Sequence, residues 1–153
     1  MNTENSIFAL NTLIEINNDR IECYENASKE TVEPELKNMF SEFQKSSQKI
    51  KAALVNEVQK MGGTSIKETK KNNVFLRILR DIKTHLIIKD RDDILSTCEY
   101  YDFVAIQNYN EVLNNYPKDL STELQKMLVS QQLYIKADHD KVKYINDMML
   151  VYK

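Results

Sequence analysis

The sequence has little in it that bends a chain. Its 153 residues include two glycines, two prolines and no tryptophan. Sheet-rich folds reverse every few residues and draw on Gly, Pro and Asn to do so. With Pro34, Gly62, Gly63 and Pro117 as the whole supply, few sharp reversals are available. The chain reads as a handful of long helices in one domain, residues 1–153. One-sided charge is missing as well. The 21 basic and 23 acidic side chains are intermixed and leave a net charge of −2. There is no basic stripe or tail of the kind that binds nucleic acid. No apolar run approaches the roughly 20 residues that span a bilayer. The first residues, MNTENS, hold neither a basic segment nor a long apolar one, so a secretory leader is not expected. Cys23 and Cys98 lie far apart and form no CxxC. In a chain of this size they read as buried small hydrophobes in a reducing cytoplasm rather than as a disulfide or a reactive thiol.

What is present is helical periodicity. From Ser6 to Lys29, the residues Ile7, Leu10, Ile14, Asn17, Ile21, Tyr24 and Ser28 recur at spacings of three and four, the signature of an amphipathic bundle helix. Pro34 suits the first turn of a second helix. Its stripe is Leu36, Phe40, Phe43, Ser47, Ile50, Leu54, Glu57 and Met61, and Gly62-Gly63 ends it. The connection between these two helices is short, so they are expected to lie antiparallel. Thr64 to Asn73 is polar and aperiodic. A shorter helix is expected over Val74 to Ile88, with Phe75, Ile78, Leu79, Ile82 and Leu86 on its apolar face. The third long helix runs from Asp90 to Tyr116 along Leu95, Cys98, Asp102, Ala105, Tyr109, Val112 and Tyr116. Pro117 is expected to open the fourth, which reaches Leu150 along Leu124, Leu128, Gln131, Ile135, Asp138, Val142, Ile145 and Met149. Hairpin, long crossover, hairpin is the order of an all-α ferritin-like four-helix bundle rather than of an up-down-up-down one. The apolar stretch Met148 to Tyr152 extends the bundle or contributes to a homodimer contact.

Four stretches carry a resemblance. LNTLIEINNDRIECYENA (Leu10 to Ala27), LKNMFSEFQKSSQKIKAALVNEVQKMGG (Leu36 to Gly63), DILSTCEYYDFVAIQNYNEVL (Asp93 to Leu113) and IKADHDKV (Ile135 to Val142) resemble a bacterial ferritin-like four-helix-bundle family of unassigned function. The resemblance covers nearly the whole chain. It implies a soluble bacterial protein and brings no catalytic residue with it.

Ferritin-like carboxylate enzymes hold two metals at mid-bundle with a Glu from each of two helices and Glu-x-x-His from each of two others. Residues i and i+3 share a face, so both can reach one ion pair. This chain has two histidines, His85 and His139. Three residues before them stand Ile82 and Lys136, so no Glu-x-x-His exists, and an ammonium would sit where a carboxylate is needed. No di-iron cofactor and no catalytic centre is expected. Counting outward from the two turns places Asn17 opposite Ser47, Ala105 near Gln131 and Cys98 near Asp138. The expected mid-bundle polar layers are Asn17 with Ser47, Asp102 with Gln131, then Asp138. Such layers commonly fix register and topology. Two other readings stay open: iron at an atypical site, and a small ligand held at the polar layer with Asp102 or Asp138 as its charged member. An Asp buried there without a cation partner would tend to stay protonated.

The remaining candidates have plainer roles. Tyr24, Tyr101, Tyr109, Tyr116, Tyr134 and Tyr144 fall on or beside the stripes and read as buried rings with bonded hydroxyls. His139 borders the fourth stripe and reads as partly solvated, or as a pH-sensitive partner of a carboxylate. Gly62-Gly63 lacks the surroundings of a phosphate loop.

Overall fold

The computed structural model describes residues 3–65 and 91–151. Within them lie four helices: α1 (Thr3–Glu30), α2 (Pro34–Lys60), α3 (Arg91–Asn115) and α4 (Thr122–Val151). No strand occurs among the described residues. At 1.5 Å per residue the helices are about 38–45 Å long. The expected helix over Val74 to Ile88 lies outside the described residues.

The α1–α2 corner is built by Pro34 at the first position of α2, where a missing N–H costs no helical bond. At its other end α2 stops in a Schellman motif. The Gly63 N–H donates to the Val58 carbonyl at 3.0 Å and the Gly62 N–H to the Gln59 carbonyl at 3.0 Å. Gly62 has φ +77°, a conformation a side chain would strain. At Gly63 a Cβ would stand 2.8 Å from the Ile7 side chain, which would have to shift to admit it.

The second corner differs from expectation. Pro117 does not open α4; it sits in a turn in which the Asp119 and Leu120 N–H groups both donate to the Tyr116 carbonyl. Ser121 is the helix cap: its Oγ accepts from the Leu124 N–H at 3.1 Å, satisfying one of the donors a helix start leaves over. Buried Leu120 anchors the turn.

Contacts fix the helix directions. Tyr24 packs on Phe40 and Phe43, and Asn11 bonds the Thr64 carbonyl, so α1 and α2 are antiparallel. Arg20 meets Asp102 while Asn17 meets Tyr109, so α1 and α3 are antiparallel. Tyr109 meets Gln131, and Ser96 meets Asn146, so α3 and α4 are antiparallel. It follows that α2 and α3 run parallel.

The core follows the stripes except at Ile21 and Ser28, which are only half-buried, and with two larger corrections. Val58, not Glu57, is the buried residue near the end of α2. On α1 the buried set is far wider than one stripe, since Leu13, Ile16, Arg20, Cys23 and Ala27 are buried along with Leu10, Ile14, Asn17 and Tyr24. The cause is its position: α1 packs on both α2 and α3, so it has two inner faces. A fully buried Leu or Ile such as Leu10, Leu13, Ile14 or Leu54 contributes about 1.5–3 kcal/mol by leaving water. Tyr134 and Tyr144, expected beside the core, are exposed; Tyr24, Tyr101 and Tyr109 are buried.

Candidate functional site: a buried polar layer at mid-bundle

Two sets of polar side chains meet inside the bundle. The first is neutral. Asn17 on α1 donates through Nδ2 to the Leu13 carbonyl at 2.9 Å and to the Tyr109 hydroxyl at 3.1 Å. The Tyr109 hydroxyl in turn donates to Gln131 Oε1 on α4 at 2.7 Å. Three helices are thereby linked through one tyrosine oxygen. Burial pushes the Tyr109 phenol above its ordinary range, so it stays a donor.

The second set is charged. Arg20 on α1 has no solvent exposure. Its Nε donates to Asp102 Oδ1 at 2.9 Å, its Nη1 to Asn17 Oδ1 at 3.1 Å, and its Nη2 to Asp138 Oδ2 on α4 at 3.5 Å. The Tyr24 hydroxyl donates to the other Asp102 oxygen. Arg20 also lies over the Tyr24 ring, 5.5 Å from its centroid, a placement that adds a cation–π attraction. A buried charge is tolerated only when paired and hydrogen-bonded, and each guanidinium nitrogen here has an acceptor.

Burial works against the Arg20 charge, but Asp102, Tyr24 and Asp138 together outweigh it, and the guanidinium is held protonated above its ordinary value. Burial pushes the Asp102 carboxyl up, while Arg20 and the Tyr24 hydroxyl pull it down. Both Asp102 oxygens already accept a bond from a donor, which fits the carboxylate form. Asp138 is pushed up by burial to about 6, with Arg20 only partly opposing. Its side chain is 14% exposed, against none for Asp102.

The five residues expected at mid-bundle are distributed differently from the expected layers. Asn17, Asp102, Gln131 and Asp138 all join the network. Ser47 does not: its Oγ donates to the Phe43 carbonyl one turn back in its own helix, the usual outlet for a serine inside a helix. Gln131 meets Tyr109 rather than Asp102. The residue that sequence reasoning missed is Arg20. Its signal was indirect: two aspartates on inner stripes require a cation, and Arg20 stands three residues from Asn17 and four from Tyr24. His139 makes no bond to Asp138; its buried Nδ1 has no partner among the described residues.

A di-iron centre does not fit this donor set. Arg20 places a positive charge among the carboxylates, and two carboxylates, an amide and two phenols surround it. Among the described residues no three His, Cys, Asp or Glu side chains gather as metal ligands would. No helix among them is long and apolar enough to cross a membrane.

The family comparison reaches the same helices. Residues 5–115, from α1 to the end of α3, match a domain of unknown function, DUF2383. No curated protein matches the chain. Asp138, Gln131 and His139 fall beyond the matched segment, whereas Asn17, Arg20, Tyr24, Asp102 and Tyr109 fall within it. With its first three helices inside that match, the chain belongs to the DUF2383 family.

Proposed function

We propose that this is a non-catalytic ferritin-like helical bundle of a bacterial cytoplasm, without a di-iron centre, that acts through its outer surface. The observation that carries the reading is the fully buried Arg20 guanidinium, bonded to Asp102, Asp138 and Asn17. It puts a fixed protein cation among the inner carboxylates, where ferritin-like enzymes bring metal cations. The ferritin-like assignment is supported by helix direction: parallel α2 and α3 call for a connection that runs the length of the bundle. Two free thiols suit a reducing compartment. The homodimer reading draws on α4, whose Val129, Leu133, Tyr134 and Tyr144 are exposed.

Elemental analysis of the purified protein, followed by aerobic titration with ferrous iron, tests the central part. The reading expects no stoichiometric iron, manganese or zinc and no oxidation above the buffer rate. One or two equivalents of metal per chain, lost on replacing Asp102 or Asp138, would establish the atypical-site reading in its place. Light scattering tests association, and a monomer at high concentration rejects the dimer.

A further inference from the structure

Cys23 and Cys98 are separated by 75 positions in the chain, yet their Sγ atoms stand 3.6 Å apart in the core. One cysteine belongs to each hairpin: Cys23 to α1 and Cys98 to α3. Both are free thiols. The sequence expectation of two unrelated apolar fillers is therefore incomplete, because the fold brings them together. A disulfide needs its sulfurs at about 2.05 Å. Closing the gap asks for an approach of about 1.5 Å, within reach of side-chain rotation and a small helix shift.

We propose that Cys23 and Cys98 are a reversible dithiol whose oxidation by a small-molecule disulfide staples the first hairpin to the second. Cys23 is 6% exposed and Cys98 1%, so the order of attack follows from access. The Cys23 thiolate attacks glutathione disulfide, breaking its S–S bond and releasing one glutathione thiolate. The Cys98 thiolate then attacks the Cys23 sulfur of the mixed disulfide and displaces the second glutathione. Two protons leave the protein thiols and reappear on two glutathione thiols. The protein dithiol loses two electrons, and glutathione disulfide gains them.

The placement gives the bond a consequence. Cys23 is three residues from Arg20 and Cys98 four from Asp102, so the staple sits one turn from the buried ion pair and clamps the same two helices. Burial holds the Cys98 thiol well above its ordinary range, with Arg20 opposing. A deeply buried, reluctant thiol makes the second step slow and protects the pair from casual oxidation.

The test equilibrates the full-length folded protein in glutathione buffers of graded potential, then traps it with acid. The expected oxidised product is a monomer lighter by two hydrogen atoms, with no free thiol after denaturation. Trypsin should yield residues 21–29 joined to residues 92–118. Its melting temperature should lie roughly 10 °C above that of the reduced form, because a cross-link closing so long a loop restricts the unfolded chain. Cys98→Ser should instead trap a glutathione adduct at Cys23. The wild-type product alone decides the matter if that variant fails to fold. Thiols that stay free at the most oxidising potential, adducts on both cysteines of the wild type, disulfide-linked dimers, or an oxidised form that melts below the reduced one would each overturn the proposal.

Discussion

The two polar sets inside this bundle lie less than one helical turn apart on α1, yet they solve different problems. Asn17, Tyr109 and Gln131 are themselves neutral, the bonds among them are 2.7 and 3.1 Å, and the set touches the charged one where Asn17 Oδ1 accepts from Arg20. Such a set costs little to dehydrate and holds three helices in register. Around Arg20, Asp102, Tyr24 and Asp138 the same helices are joined by charge. One carboxylate is bonded at 2.9 Å and the other at 3.5 Å, and the buried His139 Nδ1 beside Asp138 has no partner among the described residues. Removing water from three charged groups costs several kcal/mol per ion, and only their mutual geometry offsets it. The difference teaches that the neutral set is tolerant of small loss, whereas the charged set cannot lose its one cation without stranding the fully buried Asp102.

That contrast can be broken most severely at Arg20. Arg20→Met should lose about 3–5 kcal/mol of unfolding free energy, because Asp102 is left buried without its cation; urea denaturation reads the change. Tyr109→Phe attacks the neutral set and should cost about 1–3 kcal/mol, since Gln131 loses its donor and Asn17 an acceptor. A Tyr109→Phe loss as large as that of Arg20→Met would erase the distinction.

A smaller effect follows from pH. Asp138 is raised from 3.8 to about 6 in the folded protein, so the folded state binds its proton more tightly than the unfolded state does. The stabilising contribution of that proton is complete below pH 4 and is lost as pH rises through 6. Across this window the gap between wild type and Asp138→Asn should change by about 1–2 kcal/mol, a figure reduced for the carboxyl's partial contact with solvent. A pH-independent gap would place Asp138 outside the coupled set. Smallest of all, Ser47→Ala should alter stability by no more than about 0.5 kcal/mol, because its hydroxyl only caps a carbonyl of its own helix. A loss above 1.5 kcal/mol would restore Ser47 to the polar layer.

Much of the architecture was legible in the spacing of apolar residues. Leu36, Phe40, Phe43, Leu54, Leu95, Val112, Leu124, Leu128, Ile135 and Val142 are buried as their stripes required. Pro34 and Gly62-Gly63 mark their boundaries as expected. Pro117 misled because proline is equally at home in a turn and at a helix start; the cap that sets α4 is Ser121, four residues later. The site was legible only in part. Counting back from a hairpin turn relates α1 to α2, or α3 to α4. It cannot relate α1 to α3, because that register is set by packing between hairpins. Both Arg20–Asp102 and Cys23–Cys98 lie across that boundary, so neither pairing was available from the chain. Arg20 was also hidden by its type, since periodicity reads a cation as solvent-facing unless the demand of buried aspartates is set against it.

Arg20 and Asp102 form the fully buried heart of the mid-bundle charge layer, with Asp138 as its partly exposed third member. Urea denaturation of Arg20→Met, Asp102→Leu and the double variant tests it most directly. Each single variant should lose about 3–5 kcal/mol and the double less than either, because the double strands neither Arg20 nor Asp102 and leaves without its cation only Asp138, which keeps partial contact with solvent. Losses in the double variant equal to the sum of the singles would contradict it.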